Sequence, residues 1–187
     1  MRKIVFGINI SADGYCSHEG MVADAELHRY FTRYLESTDT ILLGRKTYDL
    51  MVPFWPDVVK TPSEEESLNE FARVFDSQNL VVFSTTMQTA SEKSRIVRED
   101  LKGEALRLKE QSGKCISAGS LSIASQLSEF GLIDEYHFVV HPVIAGKGPR
   151  LFESLSLPES LRLQLIGSET FVSGAIASHY RTSIDPR

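Results

Sequence analysis

One junction, found twice, constrains this chain more than any other feature: a short apolar strand runs directly into a glycine-bearing turn and then into a segment of helical period. Thr40 to Leu43 leads into Gly44-Arg45-Lys46-Thr47 and a brief helix through Leu50. Cys115-Ile116-Ser117 leads into Ala118-Gly119-Ser120 and a helix that turns Leu121, Ala124, Leu127 and Phe130 to one side, stopped by Gly131. Strands that alternate with helices in this way imply right-handed crossovers and a largely parallel sheet. Lys3 to Ser11 reads as a buried first strand closed by the turn pair Asp13-Gly14. Asp24 then N-caps a helix whose Leu27, Tyr30, Phe31, Tyr34 and Leu35 form one stripe.

Between the junctions, Pro53, Pro56 and Pro62 predict an irregular loop over 52–62 that carries the only tryptophan, Trp55. Ser63 and Glu66 have capping-box spacing for a helix with Leu68, Phe71, Ala72 and Phe75 inward. Leu80 to Phe83 and Arg95 to Val97 read as strands, with a helix from about Glu99 to Gln111 ended by Gly113. After a strand at Tyr136 to Val140, the segments Leu161 to Ile166 and Ala175 to Thr182 lack any helical period and close the chain as an antiparallel hairpin. The expectation is one α/β domain over residues 1–187.

Composition removes several classes of function. With 187 residues, 42% of them apolar, a core can form without staples. A net charge of −5 with scattered basic residues offers no face for nucleic acid. Cys16 and Cys115 are far apart and outside any CxxC spacing, so neither a disulfide framework nor a zinc site is expected. His137, His141 and His179 also lack metal-ligand spacing in sequence, which predicts structural roles and no metal. No apolar run approaches the roughly 20 residues that a membrane-spanning helix needs, and the opening MRKIVFGINISADGY reads as a strand rather than a signal peptide. A soluble, cytoplasmic protein is expected.

Ligands of open α/β sheets bind beyond the carboxyl ends of the strands, so the residues just after each strand carry the information. Gly44, Arg45, Lys46 and Thr47 combine helix-start amides, two cations and a hydroxyl, a donor set suited to a phosphate. Ser84 and Thr85 add hydroxyls after the next strand. At Gly119, Ser120 and Leu121 a second helix start allows a pyrophosphate close to the backbone. Each motif alone also reads as a plain turn; two anion sites on one sheet edge suit a dinucleotide with an extra ribose phosphate. The G-x-G-x-x-G of ordinary Rossmann dehydrogenases is absent after the first strand.

The segments IVFGINISADGY, ILLGRKTYDLM, LVVFSTT, CISAGSLSIASQL and GLIDEYHFVVHPVIAGKGPRLF, taken in order, resemble the dihydrofolate-reductase-like superfamily. Within it they are most similar to the reductase domain of riboflavin-biosynthesis deaminase-reductases. That resemblance implies a three-layer α/β/α sandwich, NADPH as cofactor, a small-molecule substrate and a homodimer. It implies that Arg45, Lys46, Thr47, Ser84 and Thr85 hold the 2′-phosphate end and that Gly119, Ser120 and Leu121 hold the pyrophosphate. The Asp13-Gly14 loop would then lie by the nicotinamide. Asn9, His28 and Trp55 are candidate substrate contacts, and Asp24 and Glu26 are candidate carboxylates for the proton that accompanies hydride transfer. The implied activity is reduction of 5-amino-6-(5-phosphoribosylamino)uracil, with dihydrofolate reduction or a regulatory NADPH-binding module as alternatives. Two departures from the riboflavin branch bear on the ligands: Tyr15 follows Asp13-Gly14 where lysine is common, and Ala118-Gly119 replaces a glycine pair.

Overall fold

The computed structural model describes residues 1–17, 20–153 and 155–183. Its strands are β1 (Ile4–Ser11), β2 (Thr38–Gly44), β3 (Asn79–Phe83), β4 (Ser94–Val97), β5 (Cys115–Ala118), β6 (Glu135–His141), β7 (Leu163–Thr170) and β8 (Ile176–Thr182). They form one sheet in the order β4-β3-β2-β5-β1-β6-β8-β7. Every pairing from β4 to β6 is parallel; β8 runs antiparallel to β6 and β7 antiparallel to β8. The mostly parallel sheet with a C-terminal antiparallel hairpin is therefore present as the strand periods predict.

The alternation of side chains along each strand divides the core in two. Val5, Ile41, Leu43, Leu80 and Val82 face helices α1 (Ala25–Glu36) and α4 (Glu66–Asp76), meeting Tyr34, Leu35, Phe71 and Phe75. Ile4, Phe6, Leu42, Val81, Ile116 and Ala118 face the opposite layer, α5 (Leu101–Glu110) and α6 (Leu121–Glu129), through Ala105, Leu108, Ile123, Ala124 and Leu127. Helices thus cover both faces of the sheet. Because α1 covers one face of the sheet and α6 the other, the connections after the adjacent strands β1 and β5 diverge at their carboxyl ends, the position at which open α/β sheets hold ligands. No described helix is long and apolar enough to cross a membrane.

Two local expectations are corrected. The proline-rich stretch 52–62 is not irregular throughout: after the short helix α2 (Arg45–Met51), α3 forms over Phe54–Lys60 with Pro53 at its N-cap. Pro56 falls in the first turn, where a backbone N–H has no intrahelical acceptor to lose. The capping box at Ser63 and Glu66 does not form either, because α4 starts at Glu66 with Glu65 as N-cap. Ser63 is instead clasped by Asn69, whose side chain accepts from the Ser63 amide at 2.9 Å and donates to its carbonyl at 2.9 Å. Glu66 pairs with Arg73 at 2.6 Å.

Candidate active site

The two strand-turn-helix junctions meet at one rim of the sheet. Parallel pairing of β2 with β5 sets Leu42 beside Ala118, so the turns that follow are neighbours. The Gly44 amide donates to the Ser120 hydroxyl at 3.1 Å, and the Gly119 amide donates to the Leu42 carbonyl at 2.8 Å. Ser120 is the N-cap of α6 by position, yet its hydroxyl does not cap that helix, since it is turned to Gly44. The first amides of α6 therefore keep no side-chain cap, as do those of α2.

Close approach rather than backbone angle favours glycine at both turns, mildly at Gly44 and strongly at Gly119. A Cβ on Gly44 would lie 3.2 Å from the Ser120 hydroxyl and 3.4 Å from that of Ser122. On Gly119 it would lie 2.6 Å from Leu43 Cδ2 and 2.7 Å from Ile41 Cγ2.

Along the rim toward β4, Arg45 projects from the start of α2. It donates to the Thr86 hydroxyl at 2.8 Å and pairs with Asp49 at 3.3 Å. Lys46 is exposed beside it, and Thr47 is half-buried. Ser84 turns its hydroxyl into its own loop, accepting from the Met87 amide at 3.0 Å, while Thr85 is exposed. A further cation stands here that motif reading missed: Arg98, just after β4, donates to the carbonyls of Thr85 at 3.2 Å and Met87 at 3.1 Å. Its only sequence signal is its position one residue past a strand. The pairing of β4 with β3 is what carries it to the same loop that Arg45 reaches.

Beyond β1 the Asp13-Gly14 turn is pinned to the loop that follows β6. The Asp13 carboxylate accepts from the Ser11 hydroxyl at 2.6 Å and from the amides of Ala145 at 3.0 Å and Gly146 at 2.8 Å. These donors, the Ser11 hydroxyl first, hold its pKa down at about 2. Gly14 has φ +85°, the left-handed region that a glycine tolerates. Tyr15 bridges to Arg150, whose guanidinium lies over the tyrosine ring at 5.1 Å.

On the α1 face of the same rim, Asn9 and His141 meet across the β1 and β6 pairing, with His141 Nε2 3.0 Å from Asn9 Oδ1. His141 is fully buried, and burial lowers its pKa while the charge of Asp24 pulls the other way. Sequence reading assigned His141 a structural role, and its burial and its contact with Asn9 are in keeping with one that fixes the Asn9 amide. Asp24 caps α1, accepting from the Leu27 amide at 2.8 Å. Glu26 accepts from the Val172 amide in the β7-β8 turn at 2.6 Å, which ties α1 to that hairpin. His28 lies 3.0 Å from a Glu65 oxygen and packs on Phe71, which Trp55 also meets at 4.4 Å between ring centroids. His28 and Trp55 thus flank one phenylalanine.

The fold has known counterparts. Dihydrofolate reductase from Enterococcus faecalis, solved with NADP(H) and RAB-propyl, superposes with a TM-score of 0.64 at 13% identity, covering 97% of this chain and 96% of that one. A candidate riboflavin biosynthesis protein from Shewanella sp. PV-4 superposes with a TM-score of 0.74 at 22% identity, covering 98% and 99%. The fold is dihydrofolate-reductase-like. The family model of the RibD C-terminal domain matches residues 2–177, and the chain belongs to that family. YyaP of Bacillus subtilis (strain 168) is 27% identical over 183 residues, 96% of this chain and 94% of YyaP.

Proposed function

We propose that this protein is an NADPH-dependent reductase that delivers hydride to a small heterocyclic or carbonyl substrate, of the riboflavin-pathway reductase type. The observation that carries this reading is the contact between the two junctions, Gly44 on Ser120 at 3.1 Å, with Arg45 reaching from the same turn to Thr86. Arg45, Lys46 and Thr47 with Ser84 and Thr85 hold the 2′-phosphate, and Arg98 adds a second guanidinium to that end. Gly119, Ser120 and Leu121 present the uncapped start of α6 to the pyrophosphate, with Gly44 lining the turn between. Asp13 and Gly14 shape the nicotinamide side, Asp13 by holding its loop rather than by touching ligand. The donor set fits the cofactor: two guanidiniums, hydroxyls and free helix-start amides sit on one rim, and at Gly44 a Cβ would crowd the Ser120 hydroxyl at 3.2 Å.

When bound, NADPH supplies the hydride, so the chain needs no nucleophile of its own. Its residues orient the substrate and manage a proton. Asn9, fixed by His141, offers an amide to a heterocycle, and His28 and Trp55 close the side toward α3 and α4. Asp24, whose charge reaches His141, is the carboxylate that assists the proton, directly or through water; Glu26 is held by the Val172 amide. The test is a screen of NADPH oxidation against dihydrofolate, the riboflavin-pathway aminopyrimidine and simple carbonyls. Oxidation with at least one of them, and much poorer use of NADH, is expected. Tight NADPH binding without oxidation by any acceptor would make the protein a regulatory module instead, and absence of binding would end both readings.

A further inference from the structure

We propose that Glu135, His137 and His179 form a divalent-metal site of the two-histidine, one-carboxylate kind, taking Zn²⁺ or Co²⁺, at the end of the sheet opposite the cofactor rim. The three residues each offer a ligand atom, and these atoms lie within 4.8 Å of one another. Histidines far apart in sequence come together because the β6-β8 register sets His137 opposite His179, and their rings stack at 3.8 Å. Glu135 precedes His137 by two residues, so strand period puts it on the same face.

The surrounding groups are those that a metal site uses to aim its ligands. The Tyr30 hydroxyl lies 2.9 Å from His137 Nδ1, which leaves Nε2 for the ion. Lys3 holds one Glu135 oxygen at 2.6 Å, and the other oxygen is 3.0 Å from His179 Nε2. A metal replaces the proton shared in that last contact, taking the carboxylate oxygen and an imidazole nitrogen as ligands while the proton leaves to solvent. The two rings are stacked with 22° between their planes, so turning one imidazole about its side-chain bonds is part of binding the ion. A cleft of about 320 Å³ lined by these residues, Tyr30 and Cys115 opens above them and admits water to the fourth position. With only three protein ligands, and the Lys3 ammonium alongside, affinity is below that of a closed structural zinc site. The inference is independent of the reductase reading, which uses none of these side chains.

The experiment is titration of tag-free, metal-stripped protein with Co²⁺, followed by visible absorption, and with Zn²⁺, followed by calorimetry and melting temperature. One equivalent should bind, with the strong absorption of four-coordinate cobalt and a rise in melting temperature with zinc. His137→Ala and His179→Ala should abolish stoichiometric binding, and Tyr30→Phe should weaken it about tenfold. His141→Ala, at the other end of β6, should bind as the wild type does. Glu135→Gln changes little in shape and guards against an alanine variant that fails to fold; it should lose at least about tenfold in affinity. Absence of saturation at one equivalent, stoichiometric binding that survives His179→Ala, or wild-type affinity in Glu135→Gln, would overturn the proposal.

Discussion

Arg45→Ala is expected to raise KM for NADPH about ten- to a hundredfold while NADH changes by no more than about twofold, because only NADPH carries the 2′-phosphate that the proposed site would hold. A hydrogen bond to a charged group contributes about 1.5–3 kcal/mol, which is the source of that range. Arg45 is half-exposed and already shares its charge with Asp49 at 3.3 Å, so the smaller figure applies at high salt. Steady-state kinetics with both cofactors at two ionic strengths separates the effects. A selective loss that shrinks as salt rises is the expected result; equal losses for NADPH and NADH would remove Arg45 from the phosphate end. Arg98, tied to the Thr85 and Met87 carbonyls, is positioned to retain part of the preference when Arg45 is gone.

Gly119→Ala is expected to destabilise the fold by about 1–3 kcal/mol, the usual cost of forcing a methyl group into a packed core. The added Cβ would fall 2.6 Å from Leu43 Cδ2 and 2.7 Å from Ile41 Cγ2, and both side chains are buried, so neither can swing into solvent. For a chain of this size that corresponds to a fall in melting temperature of roughly 2–12 °C. NADPH affinity should fall with it, because relieving the clash pushes the turn away from β2 and with it the start of α6. A variant that melts like the wild type but binds NADPH poorly would show that the glycine serves the ligand and not the strand contact. Sequence reading gave Gly119 either a ligand role or that of a plain turn; the nearer constraint is β2, which no local motif can report.

Much of the architecture is legible in the chain because it rests on local periods. The stripe of Leu27, Tyr34 and Leu35 on α1, the glycine stop after α6 and the closing antiparallel pair of β7 and β8 all follow from hydrophobic spacing and turn chemistry. Helix α3 is hidden because three prolines read as a loop until Pro56 is placed in a first turn, where it costs no hydrogen bond. The helix start at Glu66 is misread for a different reason: the Ser63 clasp comes from Asn69, six residues on, beyond the reach of a capping-box pattern.

The candidate site divides along the same line. Gly44, Arg45, Gly119 and Ser120 announce themselves as turn residues after strands, and the β2-β5 pairing brings them together. His141 and Arg98 carry no motif; they acquire their surroundings from strand order, β6 beside β1 and β4 beside β3. The pairing of His137 with His179 depends wholly on register between strands on either side of a long connection.

A structure of the protein crystallised with NADPH tests most directly whether both turns grip a single dinucleotide. One molecule should span the rim, its 2′-phosphate within hydrogen-bond distance of Arg45 and its pyrophosphate against the backbone of Gly119 to Leu121. A nucleotide bound at one turn only, or on another face of the sheet, would contradict it.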